Sequence, residues 1–263
     1  MAVESARTAL VTGASRGVGK GVAVGLMEAG FRVFATGRSI ADADLPDAVL
    51  RLPCDHLDDA QTHAAFAAVT ERAGRLDVLV NNAWGGYEGM VEDGAFTWMA
   101  PFWEQPMRRW TGMMDAGVRA AFVCSAQAAK LMVPARRGLI VNLSFWAAQK
   151  RVGNAIYGIA KAATDKLTAD LAQELAPHGV AVLSLYPGLV RTEAVVEAAK
   201  GGAFDLADSE SPQFIGRVIA ALADDAATAA RSGEVVVAAV AAAELGVRDI
   251  DGRQPRTLGL ADV

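Results

Sequence analysis

Tyr157 and Lys161, inside "AIYGIAKAAT" at 155–164, stand four residues apart. On an α-helix that spacing turns a phenol and an ammonium to one face. Such a pair can act as a proton donor and the charge that tunes it. A free phenol has a pKa of ~10 and exchanges protons poorly at neutral pH. An ammonium about 4 Å away is worth up to roughly 4 kcal/mol at an effective dielectric of 20, enough to draw that pKa down toward the working range. Alone the pair is weak evidence, because many surface helices carry Tyr-x-x-x-Lys without consequence.

A second chemistry lies near the start. "TALVTGASRGVGKG" places Gly13, Gly17 and Gly19 between an apolar run and a helical pattern. Glycines let backbone approach a pyrophosphate, and the helix that follows supplies free N–H groups and the positive end of its dipole. A ligand-free tight turn is the competing reading. At the end of the next apolar run, where dinucleotide folds usually carry an acid for a ribose hydroxyl, stand Gly37 and Arg38. With Arg16 in the glycine loop, two guanidiniums and no carboxylate favour a 2′-phosphate, hence NADP(H) over NAD(H). Either arginine taken alone reads as solvated surface.

These groups need a scaffold, and the chain supplies one. Apolar β-type runs at 8–12, 31–36, 49–54, 77–83, 139–144, 180–187 and 234–240 alternate with helical patterns at 16–29, 58–73, 108–133, 155–176 and 211–230. The runs lack polar–apolar alternation, so both faces of their sheet are expected under helices. The expected fold is α/β, one Rossmann-like doubly wound parallel sheet of about seven strands, in one domain over 1–263. The segment 84–110 is long for a connection, which marks it as functional or mobile.

The 263 residues are 52% hydrophobic and 21% charged, with net charge −5 and no block of like charges. That balance argues against nucleic-acid binding and against a basic membrane patch. "VVVAAVAAA" at 235–243 is too short to cross a bilayer and is expected to be a buried strand and its exit. Cys54 and Cys124 fit small buried residues of a reduced, cytoplasmic protein, and His56, His63 and His178 fit surface or loop positions. Their spacing predicts no metal.

The order "TGASRGVG" (12–19), "NNA" (81–83), Ser144, "YGIAK" (157–161) and "YPGLVRT" (186–192) resembles the short-chain dehydrogenase/reductase family in its shorter, non-extended branch. The long loop and the ending "GVRDIDGRQP" look most like the subgroup known as dehydrogenase/reductase family member 1. The resemblance implies a hydride exchange between NADP(H) and a carbonyl or alcohol. Tyr157 would transfer the proton, Ser144 would bond the substrate oxygen, and Lys161 would hold the nicotinamide ribose. It implies cofactor contacts from Gly13, Ser15, Arg16, Gly17, Val18, Gly19, Arg38, Asn81, Ala83, Pro187, Gly188, Val190 and Thr192. Asp55 would meet the adenine amino group, with a helix N-terminal acid as the alternative. A homodimer or homotetramer is implied too.

Three positions depart from the family pattern. Gly117, seven residues after Trp110, stands where an asparagine usually holds a water beside the lysine. A water or main-chain group is expected to fill that gap, so that Gly117→Asn alters turnover and spares cofactor binding. A cofactor-binding regulatory protein with little or no turnover is the rival reading. Trp84 replaces the glycine that commonly follows "NNA", and Phe145 a common second serine. All five tryptophans, 84, 98, 103, 110 and 146, fall between "NNA" and the Tyr–Lys helix. They fit either the apolar wall of a site for a small lipophilic carbonyl or alcohol, or a segment that packs on a neighbouring subunit or caps its own core. Arg108 and Arg109 are expected to face water, with anchoring of a carboxylate as the alternative.

Overall fold

The computed structural model describes residues 6–88, 90–92, 95–203 and 205–263. The apolar runs become strands β1 (Thr8–Val11), β2 (Arg32–Gly37), β3 (Leu50–Pro53) and β4 (Val78–Asn81). After a small antiparallel hairpin, β5 (Val91–Glu92) and β6 (Ala95–Phe96), come β7 (Gly138–Leu143), β8 (Val180–Tyr186) and β9 (Val235–Val237). Seven of them form one parallel sheet in the order β3-β2-β1-β4-β7-β8-β9.

Alternate residues of each strand serve opposite cores, which is why the runs read as continuously apolar. Val11, Val33, Val80, Val141 and Leu183 pack beneath α1 (Gly17–Glu28) on one face. Leu10, Phe34, Leu79, Ile140 and Val182 pack on the other, with α2 (Asp59–Ala73). The chain winds outward from β1 in one direction and from β4 in the other, so the carboxyl ends of these neighbours open a crevice at the switch point.

Further along come α3 (Met107–Trp110), a π-helical stretch at Thr111–Arg119, α4 (Ala120–Ala135), α5 (Ala155–Leu175), α6 (Glu193–Lys200), α7 (Pro212–Asp224) and α8 (Ala238–Leu245). Two expectations need correction at the end of the chain. The last strand stops at Val237, because the alanines that follow favour helix and form α8. The α6 helix falls in a stretch expected to be a connection; Thr192 caps it by accepting from Val195 N at 3.4 Å. Among the described residues no helix is long and apolar enough to cross a membrane.

His56 also differs from expectation: it is buried. Its Nε2 lies 2.7 Å from Thr36 Oγ1 and its Nδ1 3.2 Å from Thr62 Oγ1, with the sulfurs of Cys124 and Cys54 at 3.5 and 3.7 Å. Burial pushes its pKa down to about 4 and pushes both thiols up.

Helix α1, whose N-terminus follows the glycine loop, is fixed by close backbone contact with α7. A Cβ on Gly25 would stand 2.4 Å from Gln213 O, and one on Gly216 2.5 Å from Val22 O. Adding that methyl forces the two helices apart. We expect Gly216→Ala to lower the unfolding free energy by about 1–3 kcal/mol in urea titration.

Candidate active site

At the end of β1 the chain turns through Gly13, at φ 65°, and Gly17, at φ 59°. Space here excludes side chains. A Cβ on Gly13 would stand 2.7 Å from Ala83 Cα, and one on Gly19 2.4 Å from Gly13 O. Val18 packs onto the core beneath α1. Thr12 and Asn82 tie this loop to the end of β4: Thr12 Oγ1 accepts from Asn82 N at 2.9 Å and Ala83 N at 3.0 Å. Asn82 Nδ2 donates to Thr12 O at 3.0 Å and Gly13 O at 2.9 Å. The "NNA" motif signalled Asn81; the brace made by Asn82 was not read from it.

The loop holds anions in this structure. Gly17 N donates to a Glu193 carboxylate oxygen at 3.0 Å. Arg16 and Arg38 converge on one oxygen of Glu88, at 3.1 and 2.7 Å, with Asp55 adding to the field at Arg38. Ser15 Oγ is buried with no hydrogen-bond partner among the described residues. A loop that admits no Cβ at Gly13 or Gly19, an orphan hydroxyl and two guanidiniums on one acceptor fit a polyanionic ligand with a peripheral phosphate. Asp55 does not cap α2; that role falls to Asp58, while Asp55 accepts from Leu57 N at 3.0 Å.

Deeper in the crevice, Asn154 caps α5 by accepting from Tyr157 N at 3.0 Å. One turn apart on that helix, Tyr157 and Lys161 are both buried, as is Ser144 just past β7. Ser144 Oγ donates to Lys161 O at 3.3 Å, and Lys161 Nζ to Leu143 O at 3.1 Å. Ser144 therefore meets α5 through the Lys161 carbonyl, one turn from Tyr157.

Aromatic rings from the 84–98 segment close it. The Tyr157 ring has Trp98 at 5.4 Å, Trp84 at 5.9 Å and Tyr87 at 6.2 Å, and its hydroxyl lies 3.2 Å from that of Tyr87. Burial pushes the Tyr157 phenol well above its ordinary pKa, with Tyr87 adding to it. The expected lowering by Lys161 is absent: the ammonium lies 5.9 Å from the phenol ring and is directed at Leu143 and Trp84. Burial pulls Lys161 itself down to about 8, opposed by the charge of Asp165. Asp165 in turn accepts a hydrogen bond from the buried Tyr186 hydroxyl, a pairing the sequence did not reveal.

Asn81 Nδ2 donates to Asn142 Oδ1 at 2.8 Å and Ser125 Oγ at 3.0 Å. Asn142 Nδ2 donates to Thr168 Oγ1 at 2.8 Å, and that hydroxyl meets Ser184 Oγ at 2.8 Å. This buried ladder fixes β4, β7 and β8 against α4 and α5. Past β8, Pro187, Gly188, Val190 and Thr192 run along the crevice, with Thr192 beside Gly17. Gly188 N donates to Glu210 Oε1 at 2.7 Å, and burial pushes that carboxyl up to about 7. Arg109 does not face water. It is buried and donates to Thr97 O at 2.8 Å, bracing the long loop from within, while Arg108 pairs with Glu92.

Comparison with known proteins agrees with this fold. A family model described as short chain dehydrogenase matches residues 7–202. The mouse protein named dehydrogenase/reductase SDR family member 1 is 39% identical over 93% of this chain and 83% of its own length. A 3-oxoacyl-[acyl-carrier-protein] reductase of Synechocystis is 30% identical over 73% of this chain and 78% of its own. Among solved structures, the actinorhodin polyketide ketoreductase with NADPH superposes with a TM-score of 0.76 at 26% identity, covering 90% of this chain and 97% of the other.

The polar ladder offers a direct test of what holds Ser144 opposite α5. Thr168→Val keeps the shape and leaves Asn142 and Ser184 short of a partner. Unfolding free energy should fall by about 1–3 kcal/mol, read by urea titration.

Proposed function

The chain belongs to the short-chain dehydrogenase family, and we propose that it is an NADP(H)-dependent oxidoreductase acting on a lipophilic carbonyl or alcohol. The observation that carries this reading is the placement of Tyr157, Lys161 and Ser144 at the same sheet edge as the glycine cradle. In this reading Gly13, Ser15, Gly17, Val18 and Gly19 line the pyrophosphate, Arg16 and Arg38 take the 2′-phosphate, and Asp55 lies on the adenine side. The solved ketoreductase carries NADPH, which supports the same choice of cofactor. When bound, the nicotinamide supplies or takes the hydride.

The protein's own residues manage the oxygen. The buried Tyr157 hydroxyl stays protonated at neutral pH and is the donor. The Tyr87 hydroxyl, 3.2 Å away, marks a position from which a substrate oxygen would accept that proton. Ser144 orients the oxygen, and Lys161 keeps positive charge beneath the ribose. Trp84, Trp98 and Phe145 pack in one apolar cluster with Tyr157, which supports an apolar substrate over a charged one. The same reading takes 1–263 as one domain and assembles it as a homodimer or homotetramer, supported by exposed Phe122 on α4 and Ile159 on α5.

Turnover is followed by the absorbance of reduced nicotinamide, with NADPH and then NADH, against lipophilic ketones, quinones and aldehydes. We expect NADPH to be preferred and Tyr157→Phe to cost about 10²–10⁴-fold in kcat. Cofactor binding without turnover across the panel would favour the regulatory reading instead. For the cofactor preference, Glu88→Gln frees both guanidiniums. It should tighten NADPH by about 3–10-fold and leave NADH within about 2-fold, read as Kd by calorimetry.

A further inference from the structure

Lys161 is buried, and among the described residues no carboxylate is hydrogen-bonded to its ammonium. Nζ donates to Leu143 O at 3.1 Å, and its remaining close neighbour is the Trp84 ring, whose centroid lies 4.3 Å away. The titratable groups around it are few. Tyr157 presents its ring at 5.9 Å from the same helix, and Asp165, one turn on, is engaged by Tyr186 at the end of β8. From the loop, Tyr87 directs its hydroxyl to Tyr157.

The indole is held by shape. A Cβ on Gly117 would stand 2.8 and 2.9 Å from Trp84 Cε3 and Cζ3, so the ring occupies the volume a side chain at 117 would need. Next to it, Gly85 N donates to Gly112 O at 3.0 Å, pinning the loop to the π-helical stretch; a Cβ on Gly112 would lie 2.7 Å from Gly85 O. On its other side the ring meets Tyr157 edge-on at 70°. Trp84 Nε1 is buried with no hydrogen-bond partner among the described residues, so no polar contact places the ring there.

We propose that Trp84 is a positioning residue that seats the Lys161 ammonium on its π face, and that Gly117 is the space which admits it. A desolvated ammonium over an indole is stabilised by the ring quadrupole. The ring therefore takes, beside Lys161, the place that a side chain at 117 with a bound water would otherwise hold. The two departures Trp84 and Gly117 are one substitution in space, and the indole occupies the gap. The importance of the ammonium rests on the oxidoreductase reading, but the contact is tested without cofactor, so either can fail alone.

The experiment titrates Lys161 by lysine side-chain NMR on the cofactor-free protein, its resonance assigned by loss in Lys161→Met. Trp84→Phe and Trp84→Leu leave similar space, and only the first keeps a π face. The midpoint in Trp84→Leu should fall ~0.5–1 pH unit below that in Trp84→Phe; coincident midpoints, or a higher one for leucine, overturn the role of the ring. In parallel, Gly117→Asn should lower Tm by about 3–10 °C in the parent and far less in a Trp84→Gly background. Equal losses in both backgrounds would overturn the claim that the two residues share one volume.

Discussion

Wherever this site is assembled, one stretch of backbone meets another with no side chain between them. The glycine loop touches the end of β4 at Gly13 and Ala83, α1 touches α7 at Gly25 and Gly216, and the loop after β4 touches the π-helical stretch at Gly85 and Gly112. Each contact brings main-chain dipoles within reach of a ligand or of one another, and each is intolerant of a single carbon. The proposed catalytic groups are placed by the same rule. Ser144 and Lys161 meet through a main-chain oxygen, and Lys161 finds its own acceptor in Leu143 O.

Burial sets the electrostatics of what results. With Trp84, Tyr87 and Trp98 around it, Tyr157 has lost water, and a phenol without water holds its proton. Lys161 suffers the same loss with the opposite sign and is drawn toward neutrality. The two shifts diverge from the simple expectation of a lysine lowering a nearby tyrosine. Desolvation exceeds the Coulomb attraction here because the ammonium is turned toward a carbonyl and a ring.

The parallel sheet, its seven strands and the shared helix face of Tyr157 and Lys161 were legible in the sequence because apolar runs and i,i+4 spacing are local signals, whereas Ser144 was signalled only by the family resemblance. The helix α8 was hidden by an apolar run that reads equally as strand. His56 was misplaced for a related reason: its burial depends on Thr36 and Thr62 arriving from other elements. Arg109 looked solvated because its acceptors lie in the irregular loop it braces. The pairing of Trp84 with Gly117 joins positions far apart in the chain, and only the folded π-helical stretch brings them together.

The carboxylate of Glu88 between Arg16 and Arg38 has a consequence for how the protein meets its surroundings. Two guanidiniums left bare would project a local positive field and gather counterions from solution. Bridged by one carboxylate, they keep about half of that charge, and salt at physiological strength screens the remainder over ~8 Å. An anion arriving at this corner therefore exchanges with a tethered one already in place. Because a carboxylate already stands in for part of the counterion atmosphere, fewer ions are released on binding, and the exchange should be less sensitive to ionic strength than capture by an open basic cleft.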